Sequence, residues 1–323
     1  HDGGTSRPDA EAQDSPIFDP DSWRLSAFEA ALCAETRTLA QTKFAARAAE
    51  IDRQARFPTE NYQDLRASDL LGICIPREHG GRGADLRAYM LAAAEIGRYC
   101  GATALTFNMH VSSCLWTGVL ADGVEMSEAQ REEHAAMRAR HYRRILDEGA
   151  IYAQPFSEGG DAAAGKAAFG TTAVVTDGGW IVNGKKIFAS LSGHADYYGV
   201  LCTELETPES RPSRANTMYI AVPRDAEGVS VEGSWDPLGM RGTVSRTLVF
   251  RDVFIPFSEQ LMPRGVYFNA ARQWPHMFMT LTPSYMGIAQ AAYDFTVRYL
   301  RGEMPGTPPV SYTHLTLPTT MLV

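Results

Sequence analysis

Apolar positions recur at helical spacing from about residue 22 to residue 149. Residues 22–49 are rich in Ala and Leu with charges interspersed, and predict a long helix. Pro58-Thr59-Glu60 reads as a helical first turn leading into Tyr62, Leu65 and Leu70. Residues 75–83 carry three glycines and a proline, which predicts a loop. Asp85 then caps a helix running through Leu91, Ala94 and Ile96, and a more apolar helix covers about 102–120. Residues 127–148 are charged on most faces and open on Ser127-Glu128-Ala129-Gln130, the pattern of a capping box.

At about Ala150 the texture changes to Val, Ile, Thr and Tyr, broken by turn dipeptides. Asp177-Gly178-Gly179 and Asn183-Gly184 both predict hairpins. Strands are expected at 171–176, 180–182, 186–189, 197–203, 217–222, 229–232, 246–250 and 253–255, with a polar loop over 204–215. Gaps this short leave no room for crossover helices, so the sheet is expected to be antiparallel. Helical texture returns after Pro263, with one amphipathic helix over 285–300. The fold class is therefore α+β. An all-α N-terminal domain (21–149) precedes a middle antiparallel β-barrel or sandwich (150–258), then the start of an unfinished helical domain (259–310). Residues 1–20 read as a disordered lead-in. Residues 311–323 have neither period and read as translated adapter sequence rather than fold.

Composition narrows the function. The 323 residues carry 30 Lys and Arg against 38 Asp and Glu, a net charge of −8, which argues against a chain-wide nucleic-acid footprint. The five cysteines are scattered and never in a C-x-x-C spacing, so reduced thiols in a cytoplasmic protein are expected, with no metal site. No apolar run reaches the ~20 residues that span a bilayer. The N-terminus lacks a basic and an apolar signal region, although a chain that opens on His1 leaves targeting open.

Three segments could carry chemistry. Tyr152-Ala153-Gln154-Pro155-Phe156-Ser157-Glu158-Gly159-Gly160-Asp161 runs from a strand into a Gly-rich loop whose hydroxyl and N–H groups suit an anion or a cofactor edge. Phe188-Ala189-Ser190 puts an aromatic two residues before a hydroxyl at a strand end, able to stack on a planar ring and bond its edge. Gly239-Met240-Arg241-Gly242 through Arg246 to Phe250-Arg251-Asp252-Val253 carries arginines suited to phosphate or to a salt-bridged turn. Alone, each also has a purely structural reading: a tight turn, a core Phe with a turn Ser, an ion-paired turn. His194 and Asp196 read as turn and capping groups, and His110 as a core histidine.

Together, in this order, the segments resemble the acyl-CoA dehydrogenase family over about residues 25–305. Tyr152 to Asp161 is similar to the family's first flavin segment, one residue shorter. Lys186 to Asp196 matches the second, with Phe188 for a tryptophan and Ser190 for a threonine. Gly287-Ile288-Ala289-Gln290 resembles the opening of the last helical domain. The resemblance implies a C-terminal four-helix domain and FAD. Tyr152, Gln154, Ser157, Gly159, Phe188, Ala189 and Ser190 would hold the flavin, with Phe188 on the ring, Ser190 at N5 and Ser157 at the pyrimidine edge. Gly160, Arg246 and His276 would meet substrate. It implies α,β-dehydrogenation of an acyl-CoA with hydride transfer to flavin, an electron-transfer flavoprotein as acceptor, and a homotetramer or homodimer.

The family's usual catalytic glutamate is expected beyond the last residue. Its alternative position falls at Met277, the arginine that helps hold CoA falls at Phe278, and the R-x-T-F-G segment has no counterpart. Two other functions stay open. One is a flavin monooxygenase of the same fold using FMN, a flavin reductase and O2, with His110, His276 and Ser190 as residues to test. The other is a degenerate member serving as an assembly partner.

Overall fold

Helix starts are set by side chains that satisfy the first free N–H groups. In the computed structural model, which describes residues 24–162 and 166–304, Ser26 caps α1 (Ala27–Leu39). Its Oγ accepts the Glu29 N–H at 3.2 Å, and the Glu29 carboxylate accepts the Ser26 N–H at 2.7 Å. A π-helical turn, Ala40–Phe44, joins α1 to α2 (Ala45–Gln54). Then come α3 (Thr59–Ala67), the Asp85-capped α4 (Leu86–Tyr99), α5 (Gly101–Thr117), the short α6 (Val119–Asp122) and α7 (Glu128–Leu146). The expected capping box at Ser127 and Gln130 is formed in both directions.

Helix α5 is buried on nearly every face, which marks it as the central column of the helical layer. Its polar residues therefore need partners. Thr106 and Thr117 donate to carbonyls one turn back, at 2.8 Å each. His110 accepts the Tyr152 N–H on Nδ1 at 3.0 Å and donates from Nε2 to the Leu71 carbonyl at 2.9 Å. It is a core histidine, as its apolar context predicted, and it ties the sheet to the helices.

The strands are β1 (Tyr152–Ala153), β2 (Thr172–Thr176), β3 (Gly179–Ala189), β4 (Tyr197–Leu205), β5 (Thr217–Pro223), β6 (Val229–Glu232), β7 (Arg246–Pro256) and β8 (Gln260–Met262). They form one eight-stranded sheet in the order β6-β7-β3-β2-β4-β5-β8, with β1 paired to β4. Pairing is antiparallel except that β1 and β2 both run parallel to β4. The expectation of a wholly antiparallel sheet fails there, because the chain reaches both strands through long excursions rather than tight turns.

Asp177-Gly178 makes the expected hairpin between β2 and β3. Asn183-Gly184 does not. It lies inside β3, where Gly184, at φ +146°, presses on Thr171, and a Cβ there would stand 2.6 Å from the Thr171 Cα. Asn183 instead exchanges two 2.9 Å hydrogen bonds with Asp252, which sits at φ 52° in β7. The turn signal is spent on two facing irregularities, so 180–182 and 186–189 are one strand, as are 246–250 and 253–255. Glu204, expected in a loop, lies in β4 and takes the Trp180 indole N–H at 2.9 Å.

After the sheet come α8 (Val266–Gln273) and α9 (Thr282–Leu300). Helix α9 crosses α4 at two glycines. A Cβ on Gly287 would lie 2.1 Å from the Ala94 carbonyl oxygen, and one on Gly97 2.4 Å from that of Ser284. Arg98 clamps the crossing through Asp294. The other face of α9 leaves Met286, Tyr293 and Phe295 more than half exposed. The expected lead-in and adapter-like tail lie outside the described residues.

Gly287→Ala is expected to destabilise the fold although alanine is the better helix former by about 1 kcal/mol. The added methyl meets backbone, so overpacking of about 1–3 kcal/mol wins. A lowered melting temperature with faster proteolysis in α9 checks this. A second expectation concerns acid. Burial pushes His110, His134 and His141 each down to about 4. Between pH 6.5 and 4 the unfolded chain then binds more protons than the folded one, so stability falls as pH drops through that window. The slope is at most about 4 kcal/mol per pH unit if all three titrate this way. Urea midpoints across pH check the sign, and His110→Gln should remove about one proton from the slope.

Candidate functional site

A cleft of about 420 Å³ opens where α5, the end of β3, the 154–157 segment, the 235–245 segment and the residues around α9 meet. Its apolar wall includes Leu105, Met109 and Trp116 from α5, with Asn108 and Ser112 between them. Phe188, Trp235 and Phe278 add aromatic rings, and Gln154, Ser157, Ser190, Thr243 and Ser245 supply polar atoms. Among the described residues, the lining holds no carboxylate, amine or imidazole.

Phe188 is the unusual wall. It is 66% exposed and sits at φ 52°, the left-handed region that a bulky side chain avoids. Its ring lies 6.2 Å from that of Trp235 in an edge-on arrangement. Met240 (φ 62°) and Val244 (φ 47°), on the opposite bank, share the left-handed backbone. Strain of this kind persists only where neighbours over-determine it, and it concentrates at binding sites. Here the neighbours are backbone bonds: Leu191 N–H to Thr243 O at 3.0 Å, and Ser192 N–H to Val244 O at 3.3 Å.

The Gly-rich loop is held to β3 by a buried ion pair. Lys186 is fully buried and reaches Glu158 at 2.6 Å, the Leu201 carbonyl at 2.5 Å and the face of Phe169 at 4.4 Å. Glu158 also accepts N–H groups from Gly170 and Thr171, at 2.6 and 3.0 Å. Burial works to raise the Glu158 pKa, but the Lys186 charge and these hydrogen bonds outweigh it and hold the carboxyl below its usual range. Burial lowers that of Lys186 against the pull of Glu158. Three donors, Lys186 Nζ and the Gly170 and Thr171 N–H groups, favour the charged carboxylate, so the pair is ionised. Ile187 N–H donates to Ser157 O at 2.8 Å, completing the lock.

Of the residues singled out from sequence, Gln154, Ser157, Phe188 and Ser190 line the cleft. Tyr152 does not. Its hydroxyl bonds His141 Nδ1 at 2.8 Å and its ring stacks on Tyr197, behind the cleft wall. Ala189 is buried beneath Phe188. Gly159, at φ +79°, turns the loop, and Gly160 stands in open space. Arg246 donates to the Gly233 carbonyl at 2.8 Å, and His276 is exposed against Trp274; neither lines the cleft. Arg241 is an ion-paired turn residue, but its partner is Asp52 of α2, at 2.8 Å. Asp196 accepts the Ile151 N–H at 2.8 Å and His194 stacks on Phe57, as structural groups. Sequence reasoning missed Asn108, Ser112, Trp235 and the Thr243–Ser245 pair. The Thr-x-Ser spacing in the third segment was the available signal.

A second hollow of about 590 Å³ shares Phe156, Tyr267 and Phe278 with the first. It carries Arg214 and Arg272, whose guanidinium carbons both lie 5.9 Å from the Phe268 ring. Among the described residues no group of side chains could hold a metal ion, and no helix is long and apolar enough to cross a membrane.

Family models for the acyl-CoA dehydrogenase N-terminal and middle domains match residues 26–139 and 156–253. The chain is 28% identical over 264 residues to the mouse mitochondrial short-chain specific acyl-CoA dehydrogenase, 81% of this chain and 60% of that protein. It is 26% identical over 266 residues to the short-chain specific acyl-CoA dehydrogenase of Clostridium acetobutylicum, 82% of this chain and 66% of that one. It thus spans less than two thirds of either relative's length. Among solved structures, FMN-bound TdsC, a dibenzothiophene monooxygenase from Paenibacillus sp. A11-2, superposes with a TM-score of 0.70 at 26% identity, over 84% of this chain and 65% of that one.

The backbone at position 188 yields a direct expectation. Phe188→Gly should be more stable than Phe188→Ala by about 1 kcal/mol, the cost of a left-handed Cβ, reversing the usual order in strands. Urea denaturation of both variants measures it, and an alanine variant of equal or greater stability would remove strain from the account.

Proposed function

The chain belongs to the acyl-CoA dehydrogenase family, and on that premise we propose that its aromatic cleft binds FAD and that the protein oxidises an acyl-CoA at the α,β bond. The observation that carries the reading is Phe188, an exposed ring held in a strained backbone beside Ser190 and opposite Trp235. A planar heterocycle with a polar edge fits that arrangement: the Phe188 face packs on the ring, and Ser190, Ser157 and Gln154 meet its edge. FAD would supply the hydride acceptor.

The chain's own residues have separable tasks. Leu105, Met109 and Trp116, on one side of α5, form an apolar wall suited to an acyl tail. Arg214 and Arg272 in the adjoining hollow suit the phosphates of coenzyme A. The pair of Lys186 and Glu158 keeps the Ser157 loop in register with Ser190. Removal of the α-proton calls for a base. Met277 and Phe278, at family positions for an acid and a cation, supply neither, so the base belongs to a residue outside the described cleft. A homo-oligomer and reoxidation by an electron-transfer flavoprotein complete the proposal.

A second reading, a flavin monooxygenase working with FMN, a separate reductase and O2, is favoured by the carboxylate-free lining and by the likeness to TdsC. His110 and His276 would not serve it, since one is spent on backbone partners and the other stands outside the cleft. Ser190 remains. Anaerobic addition of a short-chain acyl-CoA to the flavin-loaded chain separates the two. Bleaching of the visible flavin band is expected, and Arg272→Glu should raise the acyl-CoA concentration needed by about tenfold. An unbleached flavin that gives oxygen-dependent product once a reductase is added would favour the monooxygenase. Failure of the chain to bind any flavin would leave the non-catalytic assembly role.

A further inference from the structure

A chain of three hydroxyls leads away from the cleft. Ser190 Oγ lies 2.8 Å from Ser245 Oγ, and Ser245 Oγ lies 2.7 Å from Thr243 Oγ1. Thr243 Oγ1 lies 2.9 Å from the Met240 carbonyl oxygen. All three side chains are buried, and all three border the cleft. The last contact sets the direction of the rest. A carbonyl only accepts, so Thr243 Oγ1 is the donor in its contact with the Met240 oxygen, the shortest of three there beside the Thr243 N–H at 3.1 Å and the Trp235 indole N–H at 3.2 Å. Thr243 can then only accept from Ser245, and Ser245 only from Ser190. Each hydroxyl has spent its one hydrogen, which leaves Ser190, in the cleft lining, able only to accept.

From this polarity we infer that Ser245 and Thr243 are positioning residues that make Ser190 an acceptor, so that the cleft favours reduced flavin, whose ring nitrogen N5 carries hydrogen, over the oxidised form, whose N5 is a bare acceptor. The inference rests on the flavin reading above and adds to it a redox preference that Ser245 and Thr243 set through Ser190. An oxidised ring placed against Ser190 meets lone pair against lone pair unless the hydroxyl chain gives up a bond. A reduced ring meets an acceptor already aimed at it. Cooperative polarisation along such a chain strengthens the terminal acceptor. The left-handed backbone at Met240 and Val244 is consistent with this task, because it brings the Met240 carbonyl under Thr243 and seats Ser245 beside Ser190.

The test compares dissociation constants of oxidised and dithionite-reduced FAD for the full 323-residue chain, by anaerobic ultrafiltration. The wild-type chain should bind reduced FAD more tightly. Ser245→Ala frees the Ser190 hydrogen to point into the cleft, and should lower the ratio of oxidised to reduced constants by about tenfold, some 30 mV for a two-electron couple. Thr243→Val, nearly isosteric and one link further off, should move the ratio the same way and decides the matter if Ser245→Ala fails to fold. A structural role alone would weaken both redox forms equally and leave the ratio unchanged, which would overturn the inference while the flavin reading stands. Binding of neither form by the wild-type chain would overturn both.

Discussion

The cleft depends on one buried charge. Lys186 rises from β3 into the sheet interior, where an ammonium is tolerable only with full compensation. Glu158, the Leu201 carbonyl and the Phe169 ring provide it. Because Glu158 belongs to the Gly-rich loop, satisfying the lysine fixes that loop against β3, and Ser157 comes to the same opening as Phe188 and Ser190. Such a pair adds little net stability over a well-packed apolar alternative. Its value here is positional: glycines make the 157–160 loop adaptable, and the ion pair leaves it a single seat.

Around that anchor, the helical layer and the sheet are joined by polar groups rather than by apolar contact alone. His110 spends both ring nitrogens on backbone from two different regions, and Tyr219 of β5 donates to Ser113 of α5 at 3.2 Å. Arg241 reaches Asp52 of α2, while Arg98 joins α4 to α9 through Asp294. Directional bonds at a domain boundary select one relative placement, which apolar packing by itself does less sharply. The cleft lies between these layers, so its shape follows from the placement they select. The strain at Phe188, Met240 and Val244 is the local cost of presenting a ring and a hydroxyl chain across that gap.

The order of elements was legible from the sequence because local physics dictates it. Ser26, Asp85 and Ser127 cap helices through bonds within three residues, and the β-branched and aromatic runs of β2 to β5, broken by turn residues, mark strands. Phe188 and Ser190 were legible as a ring and a hydroxyl because they share one strand end. Tyr152 was legible as important but not as buried behind the wall, since only the packing of α7 brings His141 to its hydroxyl. Asn183-Gly184 misled because a turn dipeptide and a strand irregularity use the same backbone freedom, and only the facing strand, with Asp252 bent to match, decides between them.

The sequence by itself therefore determined the helices, most of the strands, the family and the ring and hydroxyl at the end of β3, all of which follow from groups within a few positions of one another. Tertiary structure alone decided that Lys186 is an internal charge serving Glu158, that β1 and β2 run parallel to β4, and that Ser190, Ser245 and Thr243 form one directed chain. The physical reason is separation along the chain. Lys186 and Glu158 stand 28 residues apart, and Ser190 and Ser245 stand 55 apart. No local propensity encodes which distant group will satisfy a buried donor, because that choice is made only when the sheet closes over it.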